Sequence, residues 1–300
     1  MPVLHLRGRA LPAGEPLDLW VDGDRLRLDP VAGAETVHDG GWLLPGLVDV
    51  HTHPGTAGPG SPLDDDLLRE HGSAHVEAGE LLVRAPGTPA PLPTWFGDDH
   101  GTPRAQSAGR WLVSPGRFFP DWGRDVPGPD VVARLATAAA EEARHGGWAK
   151  VVGDWSVTRP DGEKDYTPTF PLQAYRAVAD AVHGVGGRVT VHAQCPEVTE
   201  AAVEAGFDCV EHGMLVDTAL LGRMAESGTA LVPTLTIFSN IPRSAARRPP
   251  GPLRDFITAG WERHPAMVRE AYDVGVRLLA GTDAAGRGYG TVAEEVRWLV

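Results

Sequence analysis

Short apolar runs alternate with longer amphipathic segments along most of this chain. Runs rich in Val, Leu and Ala, typical of buried strands, lie near residues 47–53, 80–85, 110–114, 148–154, 187–193, 207–212, 229–236 and 276–283. Segments with apolar residues at helical spacing are clearest at 130–146, 171–185, 196–205, 216–227, 254–274 and 291–300. Eight strands alternating with helices predict an α/β fold, a closed (β/α)8 TIM-like barrel over residues 46–300.

Residues 1–45 follow a different pattern. Residues 17–21 and 26–28 alternate apolar and polar side chains, and an Asp-Gly turn separates the two runs. We therefore expect short strands that form the N-terminal part of a small composite β-sandwich. The chain stops at Val300, inside the predicted eighth helix. We expect a truncated piece of a longer protein, with the last helix cut and the sandwich incomplete.

Two stretches rich in Pro and Gly interrupt the barrel pattern, at residues 86–104 and 240–254. Neither has a helical or strand period, so both are predicted to be long loops. Long loops at one end of a rigid barrel commonly shape the substrate pocket.

Composition narrows the class of protein. Hydrophobic residues make up 42% and charged residues 22%, which is typical of a folded globular chain. A net charge of -13 disfavours nucleic acid and anionic lipid as partners. No apolar run is long enough for a transmembrane helix, and the N-terminus does not resemble a signal peptide. With only Cys195 and Cys209, we expect a reduced, cytoplasmic protein; a homo-oligomer is compatible with all of this.

Candidate metal ligands lie at the ends of the predicted strands. His51 and His53 are two residues apart at the end of the first, so both side chains point to the same face. Four more candidates lie on or at the end of later strands: Lys150, His192, His212 and Asp283. The C-terminal strand ends of a (β/α)8 barrel all face one pocket, and imidazole and carboxylate suit divalent metals, with zinc the leading case.

These residues belong to the motifs PGLVDVHTH, AKVVGDW, VTVHAQ, VEHGMLVDTALLGRMAESGTALVPTLT and GTDAAG. With their order and spacing intact, the chain resembles the amidohydrolase superfamily from about residue 43 to 300. It is most similar to the imidazolonepropionase-like and metal-dependent prolidase-like branch.

The resemblance implies a centre with two divalent metal ions, most simply Zn²⁺. It implies that His51, His53 and Asp283 bind the first metal, that His192 and His212 bind the second, and that Lys150, carboxylated by carbon dioxide, bridges both. A neutral Lys150 amine can form such a carbamate, whereas a buried ammonium beside two dications would be repelled. Alternatively, Lys150 extends its ammonium to the rim or pairs with Asp154.

Asp283 has two candidate roles, as a ligand and as the base that passes a proton from metal-bound water to the leaving group. The predicted reaction is hydrolysis of an amide-type C–N bond in a small substrate through a metal-bridging hydroxide. The resemblance suggests an N-acyl amino acid, a dipeptide or a cyclic amide as that substrate.

Two alternatives remain. The first is a one-metal imidazolonepropionase-like ring hydrolase or a deaminase. Deaminases of this superfamily carry a catalytic Glu just after the strand-five histidine, whereas this chain has Gln194 and Cys195 there. The prolidase-like members often carry a Tyr just after that histidine, and its absence disfavours a dipeptide. The second alternative is an inactive metal-binding scaffold.

Other polar residues receive weaker interpretations. Glu211 precedes His212 on a strand, so it should face the opposite side and not bind metal. Tyr166 and Trp155 are candidates for lining the pocket. The remaining histidines of the barrel region are expected to be surface or structural residues: His71, His75, His100, His145, His183 and His264. A solvated basic loop is the expected role of three arginines, with a substrate carboxylate as the alternative partner: Arg243, Arg247 and Arg248.

Overall fold

The computed structural model describes residues 2–99, 101–162 and 164–300. The chain divides into two compact units, Met1–Gly46 and Leu47–Val300. His100, expected to be a surface or structural residue, lies outside the described residues.

The first unit is a four-stranded sheet in the order β3-β2-β1-β4. Its strands are β1 (Leu4–Ala10), β2 (Glu15–Asp22), β3 (Arg25–Arg27) and β4 (Glu35–Leu43). The strands β1, β2 and β3 are successive antiparallel neighbours, and β4 pairs with β1 in parallel. The short alternating strands expected in this region are therefore present.

The second unit contains the remaining strands and all the helices of the described residues. Its strands are β5 (Leu47–Asp49), β6 (Thr52–His53), β7 (Glu80–Ala85), β8 (Arg104–Ser107), β9 (Leu112–Val113), β10 (Arg124–Asp125), β11 (Trp148–Val152), β12 (Asp154–Thr158), β13 (Lys164–Pro168), β14 (Arg188–Ala193), β15 (Cys209–His212), β16 (Ala230–Val232) and β17 (Ala284–Ala285). Its helices are α1 (Asp65–Glu77), α2 (Val131–Gly146), α3 (Ala174–His183), α4 (Pro196–Ala205), α5 (Thr218–Ser227), α6 (Leu235–Phe238), α7 (Ile241–Ala245), α8 (Pro252–Asp273) and α9 (Val292–Leu299).

The α/β architecture is confirmed, but the strands do not form one closed ladder in the described part of the chain. Parallel pairing gives the sheets β5-β7-β8, β10-β9-β11-β14-β15-β16 and β17-β6, while β12 and β13 form an antiparallel hairpin. Isolated parallel bridges join Ser107 to Gly147 and Leu231 to Leu278. The Val50 N–H also donates to the Ala280 carbonyl at 3.0 Å.

Several predicted element boundaries were wrong. The predicted strand near 110–114 is present as β9, but the strand that pairs with β7 is β8, which was not predicted because its sequence RAQS is largely polar. The predicted strand at 148–154 ends at Val152, and Asp154 begins the β12–β13 hairpin. None of the predicted strand at 276–283 belongs to a strand of the structure, and only Leu278 makes an isolated bridge. The predicted loop 240–254 contains α7 and the start of α8.

The main core lies between the sheet and the helices on its outer side. From α2, Leu135 and Ala139 are buried in one apolar cluster with Val178 and Val182 of α3. The strands contribute alternate residues to this cluster, such as Val189 and Val191 of β14. The intervening residues, Thr190 and His192, are therefore left to face the inner side of the sheet, where the candidate chemistry lies.

No helix in residues 2–99, 101–162 and 164–300 combines the length and the apolar character needed to cross a bilayer.

Candidate active site

Asp49, the last residue of β5, ties this strand to the segment that carries Asp283. Its Oδ1 accepts the N–H of His51 at 3.0 Å and the N–H of Thr282 at 3.1 Å, and its Oδ2 accepts the Thr282 hydroxyl at 2.6 Å. Burial raises the pKa of Asp49 to about 7, although the hydrogen bonds from Thr282 and His51 oppose the rise. This carboxyl therefore fixes the backbone on both sides of the candidate ligands.

His51 and His53, which follow β5, converge on Asp283. The Nε2 atoms of His51 and His53 each lie 3.2 Å from Asp283 Oδ1. The Nδ1 of His53 is 2.9 Å from the Gly87 carbonyl, so Nε2 is the nitrogen left for a ligand. Asp283 itself has a positive φ of 55°, which turns the chain at the end of the segment.

His212 and His192 complete the cluster of imidazoles. The His212 ring centroid lies 5.1 Å from that of His51 and 4.5 Å from that of His192. His212 Nδ1 is 2.9 Å from Thr234 Oγ1, which leaves Nε2 available. His51, His212 and Asp283 offer one ligand atom each within 4.8 Å of one another.

His192 has its partners on the other ring nitrogen. Its Nε2 lies 3.1 Å from the Tyr166 hydroxyl and 3.5 Å from Asp154 Oδ1. In the described residues no hydrogen bond is made to Nδ1, so this nitrogen is the one that can bind a metal. Tyr166 comes from the β12–β13 hairpin, an element that the apolar pattern did not predict.

Lys150 is buried and pairs with Glu211, not with Asp154 as one alternative suggested. Glu211 also accepts hydrogen bonds from Arg84 at 2.8 Å and from the Thr190 hydroxyl at 2.8 Å. His51 Nδ1 lies 3.1 Å from Glu211 but makes no hydrogen bond in the described part of the chain. The inner side of the sheet thus carries a buried cluster of two cations and one carboxylate.

The expectation that Glu211 faces away from the site was wrong. Glu211 lies two residues after Cys209, and both side chains contact Arg84 on the inner side of the sheet. His212 should then point outward, but its φ of 71° breaks the strand and turns its ring back towards His51 and His192. A strand alternation rule cannot anticipate a left-handed residue at the strand end.

The electrostatics leave His51, His192 and His212 neutral and Asp283 charged. Burial lowers the pKa of His51, and burial with the nearby Lys150 lowers that of His192 to about 3. Burial and His192 lower the pKa of His212 well below its ordinary value. For Asp283 burial acts to raise the pKa, but His51 and His53 outweigh it and hold it well below its ordinary value. Neutral imidazole and ionised carboxylate are the forms that bind divalent metals.

All six predicted ligands line one cavity of about 800 Å³. One wall of it is aromatic, and is called here the aromatic wall: Trp111, Phe118, Phe119, Trp122 and Trp155. Tyr166 also lines the cavity, as expected. The density of aromatic residues between positions 111 and 122 is the sequence signal that could have indicated this wall.

The three arginines of the segment predicted as the loop 240–254 differ in their relation to the cavity. All three are exposed, but Arg243 on α7 lines the cavity, whereas Arg247 and Arg248 do not. Arg287, in the turn after β17, also lines the cavity and was not singled out from the sequence.

The remaining histidines lie outside the cavity. His71, His75 and His264 are buried, while His145 and His183 are exposed. His75 pairs with Glu80, and His264 Nε2 is 2.9 Å from the Pro233 carbonyl. Asp49, His75 and Glu80 form a second buried group with ligand-type atoms close together. Its carboxyl oxygens and imidazole nitrogens are all within hydrogen-bonding reach of protein groups, so it is a structural cluster.

Comparison with solved structures identifies the class of fold. A Xaa-Pro dipeptidase with bound methionine aligns with a TM-score of 0.79 at 21% identity, over 99% of this chain and 83% of that one. A structure described as an amidohydrolase aligns at 0.78 with 21% identity, over 99% and 82%. A. niger ochratoxinase aligns at 0.75 with 17% identity, over 99% and 79%. The chain thus shares its fold with these proteins, and this is the fold that the resemblance of its motifs implied.

Comparison of sequences identifies the relatives of this chain. No protein-family model matches the chain. Uncharacterized proteins of Mycobacterium tuberculosis and Mycobacterium bovis are 38% identical to it over 304 residues, which cover 99% of this chain and 79% of theirs. The chain belongs to the same family as these mycobacterial proteins.

Proposed function

We propose that this protein is a metal-dependent hydrolase that cleaves an amide-type C–N bond in a small substrate. The observation that carries the proposal is the convergence of His51 Nε2 and His53 Nε2 on one oxygen of Asp283, beside His192 and His212, in the cavity. The structural neighbours named as a dipeptidase, an amidohydrolase and ochratoxinase support hydrolysis as the reaction class. We further propose that the interrupted sheets represent a (β/α)8 arrangement, which the two isolated bridges support.

The residues present fit divalent metal ions. Four imidazoles and one carboxylate form a donor set typical of zinc sites, and the hydrogen bonds of His53, His192 and His212 each leave one ring nitrogen free. We propose these four histidines and Asp283 as ligands. Divalent metals bound there would polarise the substrate carbonyl and make water a stronger nucleophile at neutral pH.

The chain's own residues then manage the proton and the environment. Asp283 is the base that takes the proton from the attacking water and transfers it to the departing nitrogen, because its carboxylate is charged and reaches the cavity. The aromatic wall restricts water around the reacting bond, since Trp111 and Trp122 are almost fully buried beside His53.

We propose that Lys150, as a carbamate, would bridge two metals. The buried Glu211 beside it sets a condition on this role. Glu211 is fully buried against Lys150, so a second anion there requires compensating charge. Arg84 supplies part of that charge at 2.8 Å, and two bound cations would supply the rest. We therefore propose that carboxylation of Lys150 accompanies metal loading.

A second candidate function, a one-metal hydrolase, is favoured by the same ion pair. If Lys150 stays paired with Glu211, it is not available as a bridge, and a single metal at His51, His53 and Asp283 remains. Deamination is less well supported, because neither Gln194 nor Cys195 can shuttle a proton as a carboxylate does.

Metal analysis combined with turnover tests these proposals. The protein, purified without chelator and reconstituted with zinc, manganese or iron, is assayed on N-acyl amino acids, dipeptides and lactones. About two metals per chain with amide hydrolysis supports the two-metal hydrolase, and about one with hydrolysis supports the second candidate. Absence of metal binding and of turnover would overturn both and leave an inactive scaffold. Labelled bicarbonate followed by NMR detects the carbamate directly.

A further inference from the structure

The cavity is lined by two chemically different groups of residues, the aromatic wall and two arginines, and together they describe the substrate. Resting on the proposed function, we infer that the substrate is an amide with an aromatic group on one side of the scissile bond and a carboxylate on the other. The aromatic wall receives the ring, and Arg243 with Arg287 receives the carboxylate.

The aromatic wall is preformed and adjoins the candidate ligands. Trp111 and Trp122 stack with ring centroids 4.7 Å apart and an interplanar angle of 17°. The Trp111 centroid lies 5.0 Å from that of His53, and the Trp155 centroid lies 5.3 Å from that of His192. An apolar group placed on this wall is therefore next to a carbonyl held at the histidines.

Hydrogen bonds fix the wall in place. The indole N–H of Trp122 donates to the Ser61 carbonyl at 2.6 Å. Arg117 donates to the Trp155 carbonyl at 3.0 Å and to the Thr167 hydroxyl at 2.8 Å, which links the wall to the β12–β13 hairpin. A flat ligand then meets a rigid surface and loses little binding energy to ordering side chains.

Two arginines also line the cavity, Arg243 on α7 and Arg287 in the turn after β17. Among the residues that the structure describes, Arg243 and Arg287 have no carboxylate within 4.0 Å and make no side-chain hydrogen bond, yet both line the cavity. Two guanidinium groups without a described carboxylate partner therefore line the cavity of a chain whose net charge is -13.

Further polar groups that line the cavity can complete an anion site. Thr236 Oγ1 is buried and has no hydrogen-bond partner in the described residues, and Asn240 lines the same cavity one helical turn further along. Glu294 is the one exposed acid among the described lining residues, so two cations outnumber it. Guanidinium groups recognise carboxylates through charge-assisted, bidentate hydrogen bonds.

The first experiment measures binding without turnover. Tryptophan fluorescence of the metal-free protein is titrated with N-benzoylglycine, N-benzoylglycinamide, N-acetylglycine and N-phenylsuccinamic acid. The two aromatic anions place their carboxylates on opposite sides of the amide, and at least one should bind. Loss of the charge should weaken binding about tenfold, and loss of the ring roughly tenfold to a hundredfold.

Matched variants assign the charge preference to the two arginines. Arg243→Gln and Arg287→Gln should each reduce the preference for acid over amide, and the double variant should abolish it. Arg247→Gln is the control, because Arg247 is exposed just after α7 and does not line the cavity. If Arg247→Gln lowers the preference as much as Arg243→Gln does, only general surface charge is acting and the inference is wrong.

The outcomes separate this inference from the proposed function. Hydrolysis by the metal-loaded protein that favours neutral aliphatic amides over aromatic acids would leave the function standing and overturn the substrate class. Selective binding of an aromatic acid, with no amide hydrolysis under any metal, would support the inferred ligand class and overturn the proposed function. Equal binding of N-benzoylglycine and its glycinamide, with no binding of N-phenylsuccinamic acid, would also refute the inference.

Discussion

Substitution of Glu211 by Gln tests the buried charge cluster most directly. Glu211 is fully buried, and its two cationic partners, Lys150 and Arg84, have exposed side-chain fractions of only 2% and 5%. Glutamine keeps the shape but removes the negative charge, so two buried cations lose their counter-ion. Removal of one partner from a buried ion pair costs about 3–5 kcal/mol, and we expect a loss of that size in the free energy of unfolding.

Urea denaturation of the metal-free protein, followed by circular dichroism and tryptophan fluorescence, measures this change. The matched control is Glu204→Gln, which breaks the 2.9 Å pair with Arg223 between two half-exposed side chains. That pair should contribute about 0–1 kcal/mol. Adding Lys150→Met to Glu211→Gln restores the wild-type net charge of the cluster and should recover part of the loss. If Glu211→Gln destabilises the protein no more than Glu204→Gln, the argument from buried charge is refuted.

Three further predictions concern the same site. Burial opposes ionisation of Glu211, but His51, Lys150 and Arg84 lower its pKa from 4.5 to about 2. Its ionised form therefore stabilises the folded state fully above pH 4.5. The stability difference between wild type and Glu211→Gln should then shrink as pH falls from 4.5 towards 2, whereas a difference that grows would contradict this sign. Lys150→Ala should abolish turnover and lower metal occupancy measured by elemental analysis, and unchanged turnover would exclude a bridging role. Asp283→Asn should retain metal while kcat falls by at least about a hundredfold, and retained kcat would limit Asp283 to a ligand.

The predictions that succeeded were those carried by local sequence. The two histidines of PGLVDVHTH lie on one strand end, so their shared direction follows from strand geometry alone. Helices such as α2 and α4 were placed within a residue or two, because their apolar spacing and terminal glycines are local signals. The order of the motifs was enough to predict that all six candidate residues lie at one cavity.

The predictions that failed depended on contacts distant in sequence. The strand β8 is recognisable only as the parallel partner of β7, since its own sequence is polar. The hairpin that carries Tyr166 to His192 has no apolar run of its own.

The sequence by itself determined the α/β class, the strand-end histidines and the kind of ligand that they can offer, because strand periodicity and donor chemistry are properties of neighbouring residues. Tertiary structure alone decided that Glu211 and His212 both face the site, because the left-handed backbone of His212 turns its ring back to the side on which Glu211 contacts Lys150. Tertiary structure also decided which basic residues line the cavity. Arg243 and Arg247 are four residues apart and chemically identical, yet only the folded chain directs one of them towards the site.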